Sequence, residues 1–520
     1  MIAITEAHTV ASPVVPGLEP VRMRRFAAAF LAAVLLSPTA LAQKAEAPLT
    51  KEQGKALLAS VDQILNFVSN DTKLPITHPV KRKLVSRGEV TKYLQKKFDE
   101  DEGTKRLEHG EIVLKKFGLL ERDFQLRSFL IRLLTEQIAG FYDEKTKTVN
   151  LLDYVGPDEQ KPVLAHELTH ALQDMRVDLV TWSDLTPNVP PKTMLEDNQR
   201  LAVDESGAAR ESVTEGQAMV TFLDYSMKPM GKTLADAPEL ADRLKDSVAD
   251  NSDSPVMARA PLLLQQTLMF PYIEGLGFEA AVLAKGGREA AFAGTLANPP
   301  SSTFEVIHPK AYLSHAAVPL LRLPDLRPLL APEYSFYDIG VMGELDVRIL
   351  TELFGGRQIA DALSTQWYGG AYYAAQKNAA PDKQSPSSIG LLYVSRWKNE
   401  DSARSFLRVY AGQLARKYSG LKRREKDEAD DTEQVYTTTE GDVLLTIQGN
   451  TVFTFEGFPL AQARTMREAI AAVQTSGPMM QAAAPAAGPA TDLAHSLVGL
   501  GTSFGMLRAA GRYTSQVVQP

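Results

Sequence analysis

The 520-residue chain contains no cysteine. Disulfides are therefore impossible, no thiolate can serve as nucleophile or metal ligand, and a lipid anchor attached through a cleavage-site cysteine is excluded. Histidine is scarce, with eight in the chain, so any metal site has to combine a few imidazoles with carboxylates. Charge of one sign is lacking too. Lys and Arg number 56 against 63 Asp and Glu, for a net charge of −7. The basic residues are interleaved with acidic ones, as in KRKLVSRGEVTKYLQKKFDEDE (81–102), which reads as a solvated helical surface and argues against a nucleic-acid partner. The apolar run near the N-terminus, Phe26–Leu36, is short for a bilayer span.

A chain of this length exceeds one compact core, so several domains are expected. From Met23 the sequence reads MRRFAAAFLAAVLLSPTALAQ: two arginines, an apolar run and the small-residue site Ala40-Leu41-Ala42. This predicts a Sec-type signal peptide over 1–42, cleaved after Ala42, with Met23 as the expected true start. Export to a periplasmic or extracellular location follows, with no stable membrane insertion after cleavage. The pattern then predicts a helical region (43–125), a catalytic region (126–330), a C-terminal α+β domain (331–475) and an Ala/Pro-rich tail (476–520). Thr50 and Gln53 form a capping box ahead of Ala56, Leu57, Val61, Ile64, Leu65 and Val68 at helical spacing. GFYD and TVNLLD flank the polar turn EKTK and predict a hairpin, which leads into a helix with Asp158 as its expected N-cap.

That helix carries VLAHELTHALQ (163–173). His166 and His170, at i and i+4, lie on one helical face and can reach one ion, while Glu167 beside them can reach a water on that ion without binding it. Zinc suits such a donor set, with three protein ligands and an open fourth position. A metzincin would need Gly at 173 and His at 176, where this chain has Gln173 and Arg176. The following helix, AARESVTEGQAMVTFLDYSM, instead offers Glu211 and Glu215, either of which would complete a His₂Glu site of the thermolysin kind.

AHELTHALQD followed by TEGQA resembles the gluzincin group of zinc metallopeptidases. More narrowly, AGFYDEKTKTVNLLD, KPVLAHELTHALQD, EGQA and PPSSTFEVIHPKAYL are similar to stretches of a family of exported bacterial proteins classed with the metallopeptidases. The resemblance spans about residues 60–320. It implies a predominantly helical α+β protein with a thermolysin-like catalytic core. It also implies Glu215 as third ligand; a Glu-x-x-x-Asp template would make Glu211 the ligand and leave Glu215 to support it.

The ligand set implies hydrolysis of peptide bonds in a peptide or protein substrate, with zinc activating a water and Glu167 as general base. Asp174, i+4 from His170, is a candidate to orient that imidazole. His308 in VIHPK is a candidate oxyanion stabiliser, although Phe304-Glu305 stands where the family pattern favours Glu-Gln. The strand holding Tyr142 and Asp143 could pair with an extended substrate, or Tyr142 could simply be a packed aromatic. The alternative from another class is a non-catalytic exported binding or envelope-assembly protein with a zinc-stabilised helix pair.

Overall fold

The computed structural model describes residues 48–100, 102–137, 140–183, 190–241 and 255–474. The expected signal segment (1–42) and the expected tail (476–520) lie outside them. The fold is mixed α+β, with about 59% helix against 16% strand.

Helix α1 (Lys51–Thr72) begins at Thr50, and both capping-box bonds form: Gln53 N–H donates to Thr50 Oγ1, and Thr50 N–H to Gln53 Oε1. Leu57, Val61, Ile64, Leu65 and Val68 are buried, whereas Ala56 is off the buried face. Strand β1 (Lys81–Val85) follows, then α2 (Arg87–Glu100), α3 (Glu102–Phe117) and α4 (Leu126–Gln137). The strand corrects the reading of 81–102 as one helical surface. KRKLV exposes its three basic side chains and buries only Val85, and its pairing is supplied by a distant strand. The expected hairpin is present as β2 (Gly140–Asp143) and β3 (Thr148–Leu152), antiparallel to each other. Asp143 Oδ1 caps the turn by accepting from the N–H groups of Lys145 and Thr146. β1 joins β3 in parallel, giving a three-stranded sheet in the order β1-β3-β2.

The motif helix α5 (Pro157–Val177) starts from Gly156, not from Asp158. Pro157 occupies the first helical position, where a missing N–H costs nothing, and Asp158 and Glu159 place negative charge at the positive end of the helix dipole. Gln160 fixes the start of α5 to β3: its Nε2 donates to the carbonyls of Leu152 and Val155, and its Oε1 accepts from Leu152 N–H. Past α6 (Met194–Val203) runs α7 (Ser206–Met227), packed between α5 and the long helix α8 (Leu262–Glu289). The helical run Leu262–Ala297 is long and apolar enough to cross a membrane by composition, but 56% of its most apolar window is buried within the protein. Gly287, at φ 72, kinks it, and a π-turn at Ala290–Gly294 follows.

The expected C-terminal strands and helix also form. Strands β4 (Tyr334–Val341), β5 (Trp367–Lys377), β6 (Ile389–Trp397), β7 (Lys422–Arg423), β8 (Glu433–Thr438), β9 (Gly441–Gln448) and β10 (Thr451–Glu456) make a sheet ordered β4-β5-β6-β10-β9-β8-β7. The last hairpin turns at Gly449-Asn450, as expected. Both faces of the sheet are covered. On β6, Leu391, Tyr393 and Trp397 point to the core shared with α9 (Glu344–Gly355) and α10 (Glu400–Lys417), while Leu392 and Val394 point to a second core with α11 (Leu460–Gln474). The first core also includes Leu57, Phe129, Leu168 and Val220, so it continues across the expected boundaries at 125 and 330.

Candidate metal centre

α5 and α7 lie side by side, and their facing surfaces bring His166, His170 and Glu215 together. One donor atom from each residue falls within 4.8 Å of the others. His166 Nε2 is 3.1 Å from His170 Nε2, and Glu215 Oε2 is 3.1 Å from the first and 3.5 Å from the second. Donors about 2.0 Å from a tetrahedral ion lie about 3.3 Å apart, so this triangle matches one face of a zinc-sized coordination shell. The chemistry of the set agrees with the spacing. Glu215 Oε2 faces the Nε2 atoms of both imidazoles at once, as expected of atoms directed at a common centre.

Without an ion, the carboxylate and imidazoles hold one another. Burial alone would lower the His170 pKa, but the charge and hydrogen bonding of Glu215 raise it to about 9. Burial would raise Glu215, but His170 and His166 bring it down to about 2. The metal-free pair is thus a buried imidazolium and carboxylate, and an arriving cation displaces the proton.

The close crossing of α7 and α8 sets the position of Glu215. A Cβ on Gly216 would lie 2.3 Å from Gly275 O, and one on Gly275 would lie 2.2 Å from Ser212 O. Only glycine permits this approach, which explains the glycine beside Glu215 in TEGQA.

Glu167 is not one of the triangle's three residues, and its carboxylate is held against β2. Its Oε2 accepts from Tyr142 N–H at 2.8 Å, and its Oε1 is buried without a hydrogen-bond partner. The carboxylate still acts electrostatically on His170. Tyr142 is a packed aromatic with 8% exposure, and its hydroxyl donates to Asp174 Oδ2 at 2.7 Å.

The expected role of Asp174 is corrected. Its carboxylate accepts from Tyr142 Oη, Lys147 Nζ and Leu179 N–H, tying the end of α5 to the hairpin. The partner of His170 Nδ1 is Gln173 Oε1 at 2.8 Å. Spacing alone did not separate i+3 from i+4 on this helix, and the sequence reading selected the carboxylate. Gln217, two residues after Glu215, accepts from Gln173 Nε2 and has no signal in the spacing that would single it out.

Glu211 is buried at 4% exposure but is not part of the triangle. His308 lies between two short helical turns, with its Nε2 2.7 Å from Glu344 Oε2 and its ring against Phe304. Its contact with Glu344 leads to α9 and not to the donor triangle. His166, Glu167, His170 and Glu215 expose 0%, 1%, 8% and 2% of their surface, so all four are closed off from solvent. No family model matches the chain, and neither a curated protein nor a solved structure matches it.

Proposed function

We propose that the protein is an exported zinc metallopeptidase of the gluzincin kind, with α5 and α7 as the two helices of a thermolysin-like core. The observation that carries this reading is the unpartnered Glu167 Oε1 beside a three-atom donor set. Holding an ion for structural reasons needs no such carboxylate. His166, His170 and Glu215 would hold zinc. Bound there, zinc would lower the pKa of a water and polarise a substrate carbonyl.

The chain's own residues supply the rest. Tyr142 N–H fixes Glu167 Oε2, leaving Oε1 as the oxygen that takes the proton from the attacking water. As the C–O bond forms and the C–N bond breaks, Glu167 passes that proton to the departing amine. His308 is not needed in this scheme, being engaged by Glu344.

The burial of all four residues favours a second reading, a non-catalytic exported protein in which the ion braces α5 against α7. Metal analysis of the purified protein, together with a peptide-library digest by wild type and Glu167→Gln, tests both. The proposal expects zinc in both proteins and cleavage by wild type alone. Zinc with no Glu167-dependent cleavage would establish the second reading, and a wild type that takes up no metal would remove both.

A further inference from the structure

Gln173 and Gln217 are fully buried and form a chain of amides running from the donor triangle to the π-turn that follows α8. Their orientations follow from what they meet at the far end. Gln217 Nε2 lies 3.0 Å from both Ala291 O and Phe292 O, carbonyls of the π-turn, and 2.8 Å from Thr295 Oγ1. Main-chain carbonyls only accept, so the NH₂ end of Gln217 must face them. Its Oε1 therefore faces Gln173, whose Nε2 donates to it and to Thr214 O, each at 2.9 Å. The remaining end of Gln173 is its Oε1, and that atom faces His170 Nδ1 at 2.8 Å. A carbonyl oxygen there requires a proton on Nδ1, so once a cation displaces the Nε2 proton the ring directs its Nε2 lone pair at the centre of the triangle.

We infer that Gln173, anchored by Gln217, is a positioning residue that holds His170 as the Nδ1–H tautomer with Nε2 aimed at the metal. The π-turn is part of this arrangement, because it supplies the carbonyls that orient the first amide. The relay is neutral throughout, so it directs the ligand without adding a third carboxylate beside Glu215 and Glu167. His166 differs: its Nδ1 has no hydrogen-bond partner, and its ring lies against Tyr272 at 6.2 Å between centroids. Orientation of the two imidazoles by hydrogen bonding is thus concentrated on His170.

This inference rests on the triangle being a metal site, but not on peptide hydrolysis. The test is zinc affinity, measured by competition with a chromophoric chelator, for wild type, Gln173→Met, Gln217→Met and Asp174→Asn. Methionine keeps most of the glutamine volume and removes the amide. Loss of a partner behind a ligating histidine weakens metal binding about 10- to 100-fold, and Gln173→Met is expected in that range. Gln217→Met is expected to weaken binding less, because it frees Gln173 to turn. Asp174→Asn, which disturbs the same helix without touching His170, is expected to leave affinity unchanged. In the zinc-loaded wild type labelled with ¹⁵N-histidine, His170 should show a slowly exchanging Nδ1–H signal that Gln173→Met removes. Equal affinity of wild type and both glutamine variants, or zinc bound through His170 Nδ1, would overturn the relay alone. Absence of zinc binding by wild type would overturn the metal site with it.

Discussion

Tyr142 N–H donates to Glu167 Oε2 at 2.8 Å, so an outward-facing main-chain group of β2 sets the direction of the carboxylate on α5. Tyr142 pairs with Val149 in the ladder, and its N–H is turned to the opposite side, away from β3. The bond fixes the distance between strand and helix as well as the choice of oxygen. Glu167→Asp shortens the side chain by one methylene and cannot keep both the Tyr142 bond and the original position of the second oxygen. A misplacement of about 1 Å can cost about 10²-fold in rate, and peptide cleavage by Glu167→Asp is expected to fall by that order. Zinc content should be unchanged, because the donor triangle is intact. Cleavage at the wild-type rate by Glu167→Asp would show that Glu167 does not act through the geometry described.

The α7–α8 crossing predicts a sharp difference between glycines of one neighbourhood. At Gly216 or Gly275 a methyl group meets main-chain atoms near 2.3 and 2.2 Å, which only a shift of a helix can relieve. Overpacking of a core costs about 1–3 kcal/mol and sometimes more, and Gly216→Ala and Gly275→Ala belong at or above the upper end. Gly277 on α8 has nothing within 4 Å of an added Cβ. There alanine should stabilise the helix by roughly 0.5–1 kcal/mol. Urea unfolding midpoints of the three variants measure the contrast.

Much of this site was legible in the sequence because its residues are local to two helices. The i, i+4 spacing of His166 and His170 dictates a shared face, and the hairpin and capping box declare themselves through turn and cap chemistry. What escaped depends on contacts across the fold. β1 reads as a charged surface until β3 lies beside it, and the choice of Gln173 over Asp174 depends on where Gln217 and the β2 tyrosine stand. His308 looked available because its partner, Glu344, is 36 residues further along the chain.

The third ligand separates by substitution. Glu215→Ala removes an oxygen from the triangle and should reduce zinc affinity by at least the 10- to 100-fold seen when mere supporting partners are lost. Glu211→Ala is expected to bind zinc like wild type, since Glu211 is outside the triangle. Chelation of wild type should lower its melting temperature without unfolding it at room temperature, because the His170–Glu215 ion pair holds the empty triangle together. Calorimetric zinc titration of the two variants and melting curves with and without chelator provide the measurements. Zinc lost on Glu211→Ala but kept on Glu215→Ala would reverse the assignment.

A different group of carboxylates governs how stability depends on pH. Asp204 and Glu205, between α6 and α7, are packed against the turn from β4 to α9. Asp204 Oδ2 accepts from Val341 N–H at 2.7 Å, and Glu205 accepts from the Thr303 hydroxyl. Burial pushes Glu205 up to about 8, opposed by the Thr303 bond and reinforced by Asp346, Asp204 and Glu344. Burial likewise raises Asp204 to about 7, opposed by the Val341 bond and Arg200 and reinforced by Asp338 and Asp346. A carboxyl that binds its proton more tightly when folded gives stability that is complete below its unfolded pKa and is lost as pH rises through the folded one. The loss should therefore run from about pH 4.5 to about pH 8, amounting to roughly 5 kcal/mol for Glu205. Glu205→Gln keeps an oxygen to accept from Thr303 and cannot ionise, so its unfolding free energy should fall less than that of wild type across this window. Urea unfolding of both proteins at pH 5 and pH 8.5 measures the difference. Parallel curves would mean that Glu205 is ionised in the folded protein and that the acidic cluster is accommodated by movement of the β4–α9 turn.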